Sequence, residues 1–461
     1  MFTESEFIVI IGAGPTGLTL ARELWSRGVP FRLLERDATL MPGSRGKGIQ
    51  PRTQEVLDDL GLLDRFRAVG GDYPPLLIHL PDGGTITRRM DEHHEPTPSV
   101  PYPNVLMVPQ WRTVELLAEG LPIELGVGVE SLTQDEKGVH LTLDNGETIT
   151  ARYVVGADGG RSMVRRALGV EFEGSTREAE QLFIADVRLT GLDRDAWHVW
   201  PDADGKSMRL GLCPLPGTGD FQLTTPRMDV PIEELVAAAD PAITITHVGW
   251  TSRFRANIRL ASRYRVGNVF LAGDAAHVHS PAGGQGLNTG LQDAYNLGWK
   301  LATGDDALLD TYEAERLPVA AGVLGVSTRL HQQAVDRADD AMRRDDPALR
   351  QLSLSYREGP LALEDRAAPG SVRAGDRAPD APLATGRVFD LLRGPHATLL
   401  AINWPGELPV LPGIPAHRVD EAHEIYDVQG PTLFLVRPDN YVGCVTTSVE
   451  DVIAYRKLIG Q

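Results

Sequence analysis

Two glycine-rich segments of this 461-residue chain carry residue types and spacings suited to nucleotide chemistry. The first, Gly12-Ala13-Gly14-Pro15-Thr16-Gly17, follows the apolar run Phe7-Ile8-Val9-Ile10-Ile11. In a G-x-G-x-x-G loop the first glycine permits a tight turn and the second lets backbone approach a pyrophosphate. The third lets the following helix pack on the strand. Glu35 closes the next apolar run, Phe31-Arg32-Leu33-Leu34, where a carboxylate would meet a ribose hydroxyl. The second segment, Gly273-Asp274-Ala275-Ala276-His277, follows Val269-Phe270-Leu271-Ala272 and leads into Pro281-Ala282-Gly283-Gly284-Gln285-Gly286-Leu287-Asn288. Asp274 can accept from a ribityl hydroxyl, and the glycines let backbone N–H groups approach an anion or a ring carbonyl. The first motif suits any dinucleotide; the two together predict FAD held at both ends.

Secondary structure must hold these loops. Residues 7–11 read as a buried parallel strand, apolar and β-branched. A helix through Leu18-Thr19-Leu20-Ala21-Arg22-Glu23-Leu24 would aim its N-terminal N–H groups and positive dipole end at the phosphates. A second helix, Leu291 to Leu301, would do the same at the flavin pyrimidine and stabilise the anionic reduced ring. Between the motifs, Tyr153-Val154-Val155-Gly156-Ala157-Asp158-Gly159-Gly160-Arg161-Ser162 reads as a third strand and turn.

These three segments, in this order, resemble the flavin-dependent aromatic hydroxylases of the p-hydroxybenzoate hydroxylase type (group A flavoprotein monooxygenases). Within that group the chain is most similar to the actinomycete aromatic polyketide hydroxylases and rifampicin monooxygenases, over about residues 5–330. The resemblance implies adenine-end contacts at Gly12, Gly14, Pro15, Thr16, Gly17, Glu35 and Arg36, and a backbone contact at Val129. It places Arg45 and Gln110 near the cofactor and Asp274 at the ribityl chain. Asp158 and Arg161 would serve both FAD and the passing NAD(P)H. Pro281, Gly284, Gly286, Leu287 and Asn288 would contact the ring.

The implied fold is α/β: a Rossmann-like FAD-binding domain, an inserted mostly β substrate domain, and a thioredoxin-like C-terminal domain. The FAD-binding part is assembled from about 1–72, 101–178 and 262–330. Insertions at 73–100 and 179–261 carry alternating, strand-like patterns and would form the sheet over the flavin. Residues 331–384 read as a helical, charge-laced segment with a solvated face, followed by a Pro/Gly-rich linker from Pro369 to Pro382. Residues 385–461 are the thioredoxin-like unit. It has no C-x-x-C, because Cys213 and Cys444 are the only cysteines, so thiol exchange is excluded and packing or dimerisation is the expected role.

The net charge of −18 argues against nucleic acid or an anionic membrane as partner. No apolar run approaches the ~18 residues that span a bilayer, and Met1-Phe2-Thr3-Glu4-Ser5-Glu6 lacks a basic signal region. The expectation is a cytoplasmic monomer or homodimer acting on a small aromatic molecule. His93-His94 among acidic neighbours reads as an exposed loop, and no metal site is expected. Tyr73, His79, Trp200, Arg209 and Gln222 fall in the expected substrate sheet, where each is more often a strand-face residue than a ligand.

No catalytic side chain is assigned, because in such enzymes the flavin carries the chemistry. The resemblance implies reduction by NADPH or NADH, then O2 addition to a C4a-hydroperoxyflavin that hydroxylates an aromatic polyketide or phenol. Baeyer–Villiger insertion into a polyketide ketone is the second reading. A non-catalytic FAD-binding protein is the third.

Overall fold

Apolar, β-branched runs such as Ile8–Ile11, Tyr153–Gly156 and Val269–Leu271 present no polar face to water, so they are stable only at the centre of a covered sheet. They lie there, every residue buried, in a computed structural model that describes residues 7–202, 208–279, 283–335 and 346–460. The six-stranded sheet runs Arg265–Val266, Val269–Leu271, Tyr153–Gly156, Ile8–Ile11, Phe31–Glu35, Glu124–Leu125, parallel except for its first pair. Helices Pro15–Ser26 and Gly286–Thr303 follow the two glycine motifs and pack on each other. They approach so closely that a Cβ on Gly298 would stand 2.5 Å from Glu23 Cβ.

A second, eight-stranded sheet draws strands from both expected insertions: Leu76–His79 pairs in parallel with Trp197–Pro201. Its backbone is two long antiparallel strands, Phe172–Thr190 and Thr244–Ala261. The first of these starts inside the stretch assigned above to the FAD-binding part. One face of this sheet buries Leu210, Leu212, Phe221 and Leu223 with Val236 of the helix Ile232–Ala239. The other face looks across a cleft at the glycine motifs.

The C-terminal unit is a five-stranded sheet ordered Leu363–Glu364, Val442–Thr446, Thr432–Val436, Thr398–Ile402, Ala416–Arg418, with helix Val449–Leu458 against it. It differs from the expected layout at its start. Leu363–Glu364 already pairs with Val442–Thr446, so the sheet recruits residues before 385. The stretch read as a free linker is packed: Ala374, Ala378 and Ala381 are buried against Tyr426 and Phe434, their small side chains fitting close under the sheet. The segment read as a solvated helical face is not one helix. A helix spans Asp306–Val335, but residues 351–362 are non-helical and bury Tyr356 and Leu361. The charge-laced tract at 336–345 lies outside the described residues. Cys213 and Cys444 are both free and buried, in different sheets.

A buried charge network fastens this unit to the first domain. Arg437 donates to Glu315 Oε1 (2.5 Å) and Asp439 Oδ2 (2.6 Å), and Lys300 donates to Glu315 Oε2 (2.7 Å). Arg52 reaches the Asp439 carbonyl at 3.0 Å. Each buried charge has an opposite partner, which such burial requires.

Candidate cofactor and substrate cleft

The strand Ile8–Ile11 delivers Gly12 at φ +106°, a left-handed turn that a side chain resists. A Cβ on Gly12 would stand 2.5 Å from the Ala157 carbonyl oxygen, and one on Gly17 only 2.0 Å from that of Gly12. Gly14 is different: its φ of −77° suits any residue, and a Cβ there would meet nothing within 4 Å. Gly14, Pro15 and Thr16 border the cleft. The first intrahelical bond, Leu18 N–H to Gly14 O (2.9 Å), leaves the N–H groups of Thr16 and Gly17 for a ligand. Glu35 stands beside this loop, its Oε2 accepting from Ala13 N–H at 2.8 Å. Arg36 is exposed at the cleft edge. Val127 N–H donates to the Glu35 carbonyl oxygen (2.9 Å), whereas Val129 pairs with Leu143 in a separate three-stranded sheet and does not line the cleft.

The two glycine motifs meet at Thr16. Its Oγ1 stands 2.4 Å from where a Cβ of Gly273 would be, and equally 2.4 Å from that of Gly290. Past this crossing, Asp274 is recessed in the cleft but open to the solvent there. Surrounding protein pushes its carboxyl up, with His277 and Arg45 pulling the other way. Because water reaches this carboxylate, the upward push gains its full effect only when a ligand dries the cleft. Gly284, Gly286 and Leu287 line the cleft at the start of helix Gly286–Thr303; Pro281 lies outside the described residues. Asn288 is fully buried and staples the loops, accepting from Gln50 N–H (2.8 Å) and donating to the Gly48 and Gly284 carbonyls (2.9 Å each). Gln110 Oε1 holds Gly46 N–H at 2.7 Å, beside Arg45. Asp158 Oδ2 caps the next helix through Met163 and Val164 N–H, while its buried Oδ1 has no hydrogen-bond partner; Arg161 is exposed at the rim.

Tyr73 and Gln222 of the expected substrate residues line the cleft; His79, Trp200 and Arg209 do not. Side chains alternate across a strand. Trp197 therefore faces the cleft, while Trp200, beyond two intervening residues, faces the opposite side and joins the apolar core there. His79 stacks on it, ring centroids 4.4 Å apart. The whole cleft measures about 1680 Å³. Its turn glycines, open Gly14, recessed Asp274 and unpartnered Asp158 Oδ1 fit an extended dinucleotide.

The family model described as FAD binding domain matches residues 6–327. The chain belongs to this family. It is 44% identical to a flavin-dependent monooxygenase of Mycobacteroides abscessus, over 97% of this chain and 98% of that one. It is 36% identical to the rifampicin monooxygenase of Streptomyces venezuelae, over 94% of each. Among solved structures, the rebeccamycin biosynthetic enzyme RebC with reduced flavin superposes with a TM-score of 0.82 at 26% identity, covering 99% of both chains. This protein is an FAD-dependent monooxygenase.

Behind the flavin end, the monooxygenase carries a buried relay of polar groups. His279 Nε2 meets His277 Nδ1 at 2.8 Å, and His277 Nε2 meets Asp293 Oδ2 at 2.6 Å. Arg316 Nε donates to Asp293 Oδ1 at 2.7 Å. Burial alone would raise the Asp293 carboxyl; His277 and Arg316 outweigh it and hold it below its usual range. Burial, with His277 adding to it, drives His279 well below the ordinary imidazole range. The same aspartate accepts from Gly273 N–H (3.0 Å), so the network fixes the turn that presents Asp274. Sequence reading passed over Asp293 and Arg316 because neither lies in a glycine motif. It also passed over Trp197 and Thr224 on the cleft wall, whose only sequence signal is strand parity, and the loop residue Lys47, which has none. Among the described residues no cluster of His, Cys, Asp or Glu could hold a metal ion, and no helix is long and apolar enough to cross a membrane.

Proposed function

We propose that this monooxygenase hydroxylates a phenolic or polyketide-like aromatic compound, with NADPH or NADH as transient reductant and O2 as co-substrate. The carrying observation is one continuous cleft, from Gly14–Thr16 past Asp274 and Gly284–Leu287 to the wall of Tyr73, Trp197, Met208 and Gln222. Its volume exceeds the roughly 300–1,000 Å³ typical of one small ligand, which supports a cofactor and a ring-sized substrate side by side. Bound FAD, once reduced, supplies the activation of O2 and the transfer of one oxygen atom. The chain does the rest. Free N–H groups at the starts of both helices bind the anionic pyrophosphate and pyrimidine ends, and the Asp274 carboxylate accepts from the ribityl chain. The substrate sheet excludes water and orients the ring. The names of the relatives, rifampicin monooxygenase among them, support the substrate class.

The test is anaerobic mixing with NADPH or NADH, with and without aromatic polyketides, while watching the oxidised-flavin band. Product is then analysed by 18O2 labelling and NMR. Substrate-stimulated reduction and a labelled ring hydroxyl are expected. Fast reduction that never yields an oxygenated product overturns the reading, and a labelled lactone replaces it with Baeyer–Villiger insertion.

A further inference from the structure

The substrate wall contains a cation with no carboxylate at ion-pair distance among the described residues, Asp186 acting on it only from farther off. Lys47 is only 8% exposed, yet among the described residues it makes no ion pair. Its Nζ donates to the neutral Gln222 Oε1 at 2.6 Å and lies 4.0 Å from the centroid of the Trp197 ring. Gln222 is held in turn by the Ser44 carbonyl. Burying an ammonium is costly unless something anionic shares the site.

Two further donors, Thr224 Oγ1 and Trp197 Nε1, stand on the same wall. A Cβ added to Gly211 would stand 2.7 Å from Thr224 Oγ1 and 3.3 Å from Trp197 Nε1. Both atoms are buried without a hydrogen-bond partner, and Thr224 is only 7% exposed. A side chain at Gly211 would collide with these two atoms and with Met208 Sδ, 3.3 Å away, so glycine lets all three gather at the cleft wall. Ile184, Leu182, Met208 and Tyr73 supply apolar and aromatic surface around them.

We infer that Lys47 is a specificity-determining residue that receives the oxyanion of an ionised phenol or enol substrate, with Thr224 and Trp197 donating to further ring oxygens. This rests on the monooxygenase reading of the cleft. An ionised phenol is the electron-rich form that attacks an electrophilic oxygen, so a cation selecting that form also selects the reactive one. The titratable neighbours are Asp186, Cys213 and Tyr73. Burial pushes Asp186 up to about 6; Ser44 lies close enough to temper this, though not in hydrogen-bonding geometry, and Lys47 tempers it further from a distance. Burial also raises the Cys213 thiol, so it stays neutral.

The experiment titrates two coloured probes, 4-nitrophenol and 1,8-dihydroxyanthraquinone, into FAD-loaded protein across pH and reads their ionised bands. The parent should bind the ionised form about tenfold or more tightly than the neutral one, lowering the bound probe's midpoint by about one unit or more. Lys47→Met should abolish that preference and Lys47→Arg should keep most of it, with FAD content and thermal midpoint reporting that both variants fold. If Lys47→Met fails to fold, Lys47→Gln, which keeps a polar side chain without the charge, takes its place, and a parent-like midpoint there overturns the assignment to Lys47. The proposal also falls if the parent binds no ionised probe, or if Lys47→Met keeps the parent midpoint. Probe binding needs no turnover. An oxygenated product with an unchanged Lys47→Met midpoint sinks this inference alone, and a lost preference without any product sinks only the reaction assigned above.

Discussion

Gly14 and Gly17 sit three residues apart in one loop, and the structure assigns them opposite kinds of intolerance. A methyl on Gly17 would lie 2.0 Å from the Gly12 carbonyl oxygen, so the turn must open by about 1 Å or more to restore contact distance. Such overpacking costs about 1–3 kcal/mol, against the ~0.5–1 kcal/mol alanine contributes in a helix. Gly17→Ala should therefore lower the melting temperature of FAD-free protein by roughly 1–3 °C, and weaken FAD binding as well. A methyl on Gly14 meets no protein atom within 4 Å, and the backbone there already suits alanine. The loss is confined to an N-cap preference of under about 1 kcal/mol. FAD-free Gly14→Ala should melt within about 1 °C of the parent. Its methyl occupies the space where a pyrophosphate must approach, so FAD affinity should fall about tenfold or more, 1.4 kcal/mol per decade. Circular dichroism melts of deflavinated protein and fluorescence-quenching titrations with FAD read the two effects separately. Parent-like FAD affinity in Gly14→Ala refutes the placement of the pyrophosphate. Parent-like stability in Gly17→Ala refutes the packing argument.

Arg437→Met should cost about 3–5 kcal/mol, because it leaves the buried Asp439 carboxylate without its ion-pair partner and Glu315 with Lys300 alone; limited proteolysis should then release the C-terminal unit, and an unchanged melting curve would contradict the network. Asp59, bonded to Tyr295 Oη at 2.8 Å, has its carboxyl raised to about 7, by burial first and then by Glu23. A raised carboxyl favours the protonated fold, so its contribution is present at acid pH and lost as pH rises from about 4 through 7. Asp59→Asn keeps the acceptor and should remove about 1–3 kcal/mol of that loss after solvent screening; urea melts at pH 5 and pH 8 with the same slope in both proteins would count against it.

The strand–glycine–helix units at both ends of the cofactor path were legible in the linear chain because each rests on local rules. Ile8–Ile11 and Val269–Leu271 are apolar on both faces, and Gly12 and Gly273 take positive φ that glycine alone adopts freely. Nothing local announced that Thr16 would fill the spaces left by both Gly273 and Gly290, locking the two motifs together. The same limit explains the packed stretch at 369–382: its prolines and glycines do signal irregular backbone, but Ala374, Ala378 and Ala381 reveal their burial only once the sheet above them exists. Strand parity separates Trp197 from Trp200, yet which parity faces the cofactor depends on the helix Ile232–Ala239 covering the other side. The sequence by itself determined two glycine turns shaped to suit a dinucleotide, since turn geometry and helix N-termini are properties of a few consecutive residues. The tertiary structure alone decided which side chains line the cleft. Trp197, Gly211 and Thr224 become neighbours only when strands far apart in the chain pair into one sheet, and Lys47 reaches them from a loop outside that sheet.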